Sequence, residues 1–220
     1  MRFDIVTIFP HAFDSYLNES ILKRAQKKKL IQIKIYNLRD FSKNKYKKVD
    51  DKPYGGGAGM ILMAEPILRA GQFIKSKVKN KKRKVVVFSA KGKQFNQKMA
   101  YDWSKKLNHL ILISGRYEGI DERVKQILKA EEISIGPYIL TDGDLPAMAV
   151  ISAVARLLPG VINCESLKEE SFFNLLLEYP HYTRPKVFIF KGKKYSVPKV
   201  LLSGNHKKIK EWRRAKQHKR

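Results

Sequence analysis

Three glycine-containing loops hold most of the residues whose types and spacing could do chemistry. The first, residues 49–60 (VDDKPYGGGAGM), has four glycines in five positions after a pair of aspartates. Glycine reaches backbone conformations closed to other residues, so such a loop can approach a ligand closely. Its spacing matches neither a P-loop nor the G-x-G-x-x-G dinucleotide fingerprint. The glycines alone fit a flexible hairpin loop equally well, and the aspartates and Tyr54 favour a ligand site.

The second loop, residues 114–123 (SGRYEGIDER), follows an apolar run and leads into a helical pattern. Ligands of open α/β sheets bind at the carboxyl ends of the strands, so its position favours a function. A plain helix start would explain Asp121 and Glu122, because acidic residues suit the positive end of the helix dipole. It would not explain Arg116 and Glu118.

The third loop, residues 134–147 (SIGPYILTDGDLPA), has Gly136 and Gly143 on either side of an apolar stretch. The backbone N–H and C=O groups of that stretch could hydrogen-bond a flat heterocycle. Pro146 fits the first position of the next helix. A single loop of this kind is weak support for a site, but three at neighbouring strand ends predict a composite pocket.

Arg156 lies on the helix after the third loop and is a lone charge among apolar neighbours. Such a residue is either a surface arginine whose stem covers apolar surface or a cation directed at a developing oxyanion. The five histidines are scattered without metal-ligand spacing. Cys164 is the only cysteine, which excludes a disulfide framework and a cysteine-based zinc site.

Alternating strand and helix patterns predict the elements that position these loops. Apolar runs predict strands at residues 3–9, 31–35, 84–89, 109–114 and 133–135. Helical spacing predicts helices at residues 14–29, 94–107, 119–129 and 146–158. Strands that alternate with helices indicate an α/β fold whose parallel sheet is covered on both faces.

The pattern changes after Gly160, and we predict three parts: an α/β domain at 1–160, an interdomain linker at 161–172, and a small basic helical domain at 173–220. Helices are predicted at 172–177 and 206–216. Either Ser203 or Asn205 would cap the second of them.

The composition limits the class of protein. The chain has 220 residues with 46 Lys and Arg against 20 Asp and Glu, a net charge of +26 and a pI near 10.1. This balance favours a nucleic-acid partner, because cations that neutralise phosphates release condensed counterions. Since 34 of the basic residues are lysine, a nucleotide bias of the coding genome is the alternative. No apolar run approaches the ~20 residues that span a bilayer, so we expect a soluble cytoplasmic protein.

Seven motifs, in order over nearly the whole chain, resemble those of the bacterial tRNA (guanine-N1)-methyltransferases. They are IFP, VDDKPYGGGAGM, SGRYEGIDERV, SIGPYILTDGDLPAM, ARLLPGV, PHYTRP and VPKVLLSGNHKKIKEWR. The resemblance implies methyl transfer from S-adenosylmethionine to N1 of the guanine just 3′ of the tRNA anticodon. It also implies a SPOUT-type α/β domain with a deep trefoil knot, an exception to the rule that chains do not thread loops. A homodimer with active sites at the subunit interface is implied as well.

The same resemblance implies which residues contact the cofactor and the tRNA. Cofactor contacts fall on Ser89, Gly115, Tyr117, Glu118, Ile135, Gly136, Tyr138, Leu140 and Gly143. Contacts with tRNA fall on Asp51, Tyr54, Gly55, Gly57, Gly59, Met60, His181 and Arg184. The HYTRP segment and the basic tail would hold the anticodon stem.

Two residues are implied to be catalytic. A general base must remove the proton from guanine N1, and Glu170 stands where the family has an aspartate. Arg156 matches the cation that stabilises charge developing on guanine O6. The family requires Mg²⁺, which the acidic linker could help to hold. The chain departs from the family pattern at Pro137, at Asp142 and in a shorter C-terminal domain.

Two alternatives stay open at this point. The aspartate-to-glutamate change at Glu170 and the high charge suggest a basic tRNA-binding protein on the same fold with impaired catalysis. A ribosomal RNA methyltransferase on that fold is disfavoured by the C-terminal motifs. Methyl transfer to tRNA distinguishes these alternatives.

Overall fold

The computed structural model of the protein describes residues 1–78, 82–168, 171–172 and 177–217. The chain divides into two compact units, Met1–Ile162 and Asn163–Arg220. A parallel sheet organises the first unit, and a two-stranded antiparallel sheet lies in the second. None of the helices formed by the described residues combines the length and apolar character needed to cross a membrane.

The first unit alternates strands and helices along the chain. Its strands are β1 (Arg2–Thr7), β2 (Gln32–Asn37), β3 (Asp50–Asp51), β4 (Ile61–Leu62), β5 (Arg83–Gln94), β6 (His109–Ile113) and β7 (Glu131–Ser134). Its helices are α1 (Asp14–Leu17), α2 (Ser20–Lys27), α3 (Ala64–Lys77), α4 (Gln97–Lys106), α5 (Arg123–Leu128) and α6 (Asp144–Ala155), with 3-10 helices at Pro10–Phe13 and Leu38–Phe41. Five strands form a parallel sheet in the order β2-β1-β6-β5-β7, while β3 and β4 pair with each other in antiparallel fashion.

The central strand β6 shows why the sequence forms a sheet buried on both faces. Leu110 and Leu112 join the core on one face, with residues of α4 and α6. Ile111 and Ile113 join the core on the other face, with residues of α3 and α5. Because successive side chains point to opposite faces, a strand covered on both sides needs a continuous apolar run. The predicted α/β architecture with a parallel sheet is confirmed.

Several predicted elements differ from the observed ones. The helix predicted at 14–29 is two helices, α1 and α2, because Ser20 has a left-handed φ of 48°. Pro146 is the third residue of α6 rather than its first, which is tolerated because the N–H groups of a first turn have no intrahelical acceptor. Helix α3 was not predicted, although Ile67, Ala70 and Ile74 have helical spacing and are buried.

The second unit is less helical than predicted. It contains α7 (Cys164–Lys168), the strands β8 (Val187–Phe190) and β9 (Lys193–Ser196), a 3-10 helix at Lys199–Leu202, and α8 (His206–Lys216). The predicted small helical C-terminal domain thus also contains a two-stranded sheet, and α7 lies where only a linker was expected. Asn205 caps α8, as one of the two predicted alternatives, by accepting the Lys208 N–H at 3.1 Å. The helix predicted at 172–177 lies largely outside the described residues.

A buried ionic group joins strands near the amino end of the sheet. The Asp4 carboxylate lies 2.6 Å from His109 Nε2, and both side chains are fully buried. Arg2 donates to the same carboxylate at 2.8 and 2.9 Å and to the Tyr36 hydroxyl at 3.0 Å. This group therefore links β1, β2 and β6.

Strand β5 has an irregularity that shapes the opposite, carboxyl end of the sheet. Phe88 and Lys93 both pair with Ile133 of β7, so the four residues between them bulge out of the strand. Gly92 closes this bulge against the neighbouring backbone. A Cβ at that position would lie 2.6 Å from both the Glu132 carbonyl carbon and the Ile133 nitrogen, so only glycine fits.

Replacing Gly92 with alanine should separate β5 from β7. Since backbone atoms cannot yield as a side chain does, we expect Gly92→Ala to lower the free energy of unfolding by about 1–3 kcal/mol in urea titrations. Lys91→Ala in the same bulge is the control, because it removes only an exposed contact with Glu132 at 4.0 Å. Equal stability of the two variants would contradict this account.

Candidate active site

The second and third loops meet at the carboxyl end of the sheet. The Gly143 N–H donates to the Gly115 carbonyl at 2.9 Å, and Arg116 pairs with Asp142 as an isolated β-bridge. A Cβ on Gly143 would lie 2.8 Å from the Gly115 nitrogen and 2.9 Å from the Ser114 Cα. The close approach of the two backbones thus requires glycine at position 143.

The glycine-rich loop docks on the second loop through its last residues. The Glu118 N–H donates to the Met60 carbonyl, and the Leu62 N–H to the Gly119 carbonyl, both at 3.0 Å. The Glu118 side chain packs over Gly59, where a Cβ would lie 2.6 Å from Glu118 Oε1. The three loops that the sequence analysis singled out therefore form one connected region.

An ion pair fastens the second and third loops to each other. Arg116 Nη1 lies 2.8 Å from Asp142 Oδ2, and the guanidinium lies 4.7 Å from the centre of the Phe9 ring. Both charged side chains are partly buried. These contacts explain Arg116, which a helix start could not, and they give a role to Asp142, one of the departures from the family pattern.

Asp144 is a residue of this region that the sequence analysis did not single out. It is the first residue of α6, is 4% exposed, and accepts hydrogen bonds from Thr7 Oγ1 at 2.8 Å and from the Ser114 hydroxyl. Burial raises the pKa of Asp144 above its ordinary value, against the opposing effect of these hydrogen bonds. An acidic residue at a helix start was the available signal.

The second and third loops and the β5 bulge surround a cleft of about 510 Å³, within the size range of small-molecule sites. The glycine-rich loop is not part of its lining. All nine residues predicted to contact a cofactor line it: Ser89, Gly115, Tyr117, Glu118, Ile135, Gly136, Tyr138, Leu140 and Gly143. The three glycines are buried, whereas the side chains of Tyr117, Glu118, Tyr138 and Leu140 are exposed. The cleft thus has a backbone floor and a rim of side chains.

Three charged residues outside the motifs, Lys91, Lys125 and Glu132, line one part of the cleft beside Glu122 of the second loop. Lys125 donates to Glu122 at 2.7 Å and to Glu132 at 3.0 Å, and Lys91 lies 4.0 Å from Glu132. Burial tends to raise the pKa of Glu132, but hydrogen bonds from Lys125 and Ser89 outweigh it and lower that pKa. These residues come from a bulge, a helix and a strand, so only the fold brings them together.

The residues predicted to contact tRNA in the first unit are Asp51, the last residue of β3, and residues of the loop between β3 and β4. Tyr54 is completely exposed, and a Cβ on Gly55 would meet nothing within 4 Å. The Lys52 N–H, which donates to Asp51 at 2.9 Å, and the Lys48 ammonium lower the pKa of Asp51. Gly57, Gly59 and Met60 belong to the same loop.

The remaining predicted residues belong to other segments of the chain. Arg156 caps the C-terminal end of α6 and is partly buried. His181 and Arg184 are exposed in the second unit, where His181 Nε2 lies 3.4 Å from Glu178 Oε2. Glu170, the predicted base, lies outside the described residues. Within the described ranges, no three His, Cys, Asp or Glu side chains are placed to hold a metal ion.

The fold and the cleft define the class of protein, an α/β protein with a cleft of small-molecule size at the carboxyl ends of its strands. Over residues 1–220 the chain matches the family described as tRNA (Guanine-1)-methyltransferase TrmD, and it belongs to that family. It is 54% identical over 215 residues to the tRNA (guanine-N(1)-)-methyltransferase of Clostridioides difficile, covering 97% of this chain and 91% of that protein. The proteins of the same name from Dictyoglomus turgidum and Desulforamulus reducens are 54% and 48% identical over 97% of this chain, covering 84% and 83% of their lengths.

Adding a methyl group at Gly143 should disturb the cleft. Because the new Cβ would strike backbone atoms of the second loop, we expect Gly143→Ala to weaken S-adenosylmethionine binding about tenfold or more in calorimetric titrations. Gly115→Ala is the stability control, since its Cβ would make ordinary contacts beginning at 3.5 Å. A Gly143→Ala protein with wild-type affinity and stability would refute the close-approach argument.

The raised pKa of Asp144 predicts a pH-dependent effect of Asp144→Asn. A group whose pKa is raised on folding stabilises the protein fully at pH values below its pKa in the unfolded chain, here 3.8. This stabilisation is lost as the pH rises through the raised pKa of the folded state. The unfolding free energy of Asp144→Asn, minus that of the wild type, should therefore increase with pH above about 3.8.

Asp121→Asn provides the opposite trend as a control. A side-chain hydrogen bond from Arg123 lowers the pKa of Asp121, so its contribution is present above the ordinary value and is lost as pH falls. Urea titrations across the acidic to neutral range measure both differences. If the two stability differences changed with pH in the same direction, the raised pKa of Asp144 would be wrong.

Proposed function

We propose that the protein transfers the methyl group of S-adenosylmethionine to N1 of the guanine just 3′ of the anticodon in tRNA. The observation that carries this proposal is the cleft with a floor of buried glycines at the carboxyl ends of the strands, in a chain of this methyltransferase family. The net charge of +26 suits a polyanionic substrate.

The cleft fits the cofactor by its construction. Gly115, Gly136 and Gly143 bring the backbone to its floor, and the apolar stretch between Gly136 and Gly143 offers N–H and C=O groups to a purine edge. When bound, S-adenosylmethionine supplies an electrophilic methyl group on a positively charged sulfonium. The exposed carboxylate of Glu118 places negative charge on the lining of the cleft, which complements that cation, whereas Glu132 is paired with Lys125.

The chain's own residues then move a proton and stabilise charge. Glu170 accepts the N1 proton of guanine as a general base. The N1 electron pair forms the bond to the methyl carbon, whose bond to sulfur breaks with its electrons remaining on sulfur. Arg156 stabilises the negative charge that delocalises onto guanine O6. Glu170 carries one methylene more than the family aspartate, so its reach differs.

The remaining features of the proposal rest on family membership. They are a trefoil knot in the α/β domain, a homodimer with active sites at the subunit interface, a cytoplasmic location, and a division into 1–160, 161–172 and 173–220. The loop at 54–60, Asp51, His181 and Arg184 would contact the tRNA. A requirement for Mg²⁺ is also proposed, but no group of described residues fits the ion, so no step is routed through it.

The proposal is tested by methyl transfer to unmodified tRNA that has guanine next to the anticodon. We expect Glu170→Gln to reduce the rate by about 10²–10⁴-fold, the range for loss of a general base. Arg156→Lys should reduce it by about 10²–10³-fold, as for loss of an oxyanion donor. Glu19→Gln is the control, because it neutralises an exposed carboxylate outside the acidic linker. Mass spectrometry of nuclease digests locates the methyl group.

Each outcome has one meaning for the proposed function. The proposal is supported if the wild type methylates N1, Glu170→Gln abolishes this transfer, and Glu19→Gln preserves it. Binding of tRNA without transfer by the wild type or by Glu170→Asp would overturn it in favour of a binding protein on the same fold.

A further inference from the structure

The second unit presents an aromatic face on its two-stranded sheet. Strands β8 and β9 are joined by a two-residue turn at 191–192, where both residues have left-handed φ values, as a type I′ hairpin requires. Phe188 pairs with Tyr195 and Phe190 pairs with Lys193 across the strands. Since paired and alternate residues share a face, Phe188, Phe190 and Tyr195 lie on the same side of the hairpin.

These three rings are open to solvent. Phe188 and Phe190 are each 55% exposed and Tyr195 is 50% exposed. The planes of the two phenylalanine rings differ by 14°, with centroids 6.4 Å apart, so the rings are nearly parallel neighbours, and we call the pair the aromatic platform. A two-stranded hairpin needs further packing to be stable, and such an exposed patch marks an interaction surface.

The charge around this face selects the kind of partner. Residues 179–210 contain nine Lys and Arg and no Asp or Glu. Lys193 lies 5.8 Å from the Tyr195 ring centre and Lys191 lies 5.7 Å from that of Phe190. A second copy of the same face would be repelled by this charge, whereas a polyanion is attracted.

We propose that the aromatic face of the β8–β9 hairpin binds unpaired nucleotides of the tRNA substrate by stacking bases on its rings. Aromatic side chains on a sheet surface stack unpaired bases, while neighbouring lysines contact the backbone phosphates. Paired bases hide their faces in the helix stack, so the face selects loop nucleotides. The inference rests on the proposed function, which supplies tRNA as the substrate and an anticodon loop beside the target guanine.

The test compares variants on the two faces of β8. Phe188→Ala/Phe190→Ala removes the platform, and Ile189→Ala, at a 68% exposed position on the other face, is the matched control. We expect the double variant to bind tRNA about tenfold or more weakly and to raise KM without changing kcat. The slope of log affinity against log salt should stay as in the wild type, because no phosphate contact is lost. Lys193→Ala/Lys194→Ala should lower that slope.

A second comparison separates stacking from folding. Phe188→Tyr/Phe190→Tyr keeps the rings and should keep wild-type affinity, and circular dichroism reports whether each variant folds. On an anticodon stem-loop whose loop nucleotides are abasic, the double alanine variant and the wild type should bind with equal affinity, because no base is present to stack.

The outcomes distinguish this inference from the proposed function. Two results would overturn the stacking inference alone. One is an equal loss of tRNA affinity in Ile189→Ala and in the double alanine variant. The other is wild-type affinity in the double alanine variant, provided that the wild-type protein methylates tRNA. A change of oligomeric state on removal of the rings, seen by sedimentation, would replace it with a protein interface. A wild type that neither binds nor methylates tRNA would overturn both.

Discussion

The buried carboxylate of Asp144 fixes the relation between the sheet and the loops at its carboxyl end. It accepts hydrogen bonds from Thr7 at the end of β1 and from Ser114 at the end of β6, and it starts α6. A buried acceptor is costly unless hydrogen-bonded, so these partners hold the two strand ends and the helix start in one arrangement. The cleft then follows, because the loops leaving these ends have little freedom.

Two glycines and an ion pair also hold the loops around the cleft together. The backbones of Gly115 and Gly143 touch without intervening side chains, and the Arg116–Asp142 ion pair closes the same two loops from the rim. Backbone contacts and an ion pair packed against an aromatic ring hold the site in one geometry before a ligand binds. Such preorganisation is what binding and methyl transfer need, since small displacements of a site reduce rates strongly.

The sequence predicted those parts of the fold in which one physical pattern dominates. The apolar run of β6 is unambiguous because every residue is buried, and Asn205 is found as a helix cap because its side chain competes for backbone N–H groups. The residues predicted to contact a cofactor could be named, and they line the cleft, because they lie in long contiguous motifs. By contrast, the break at Ser20 and the bulge after Phe88 depend on single backbone torsions and on contacts with distant strands. Neither produces a local signal.

The ionic group at the other end of the sheet has a consequence for adaptation to temperature. The group formed by Arg2, Asp4, Tyr36 and His109 links three strands. It lies roughly 15 Å, about five strand residues, from the loops at the carboxyl end of the sheet. Buried ionic groups of this kind can often be exchanged for well-packed apolar residues without loss of stability. Thermal tolerance can therefore be selected at one end of the sheet while turnover is conserved at the other, so that lineages from hot and temperate habitats need not trade one property for the other.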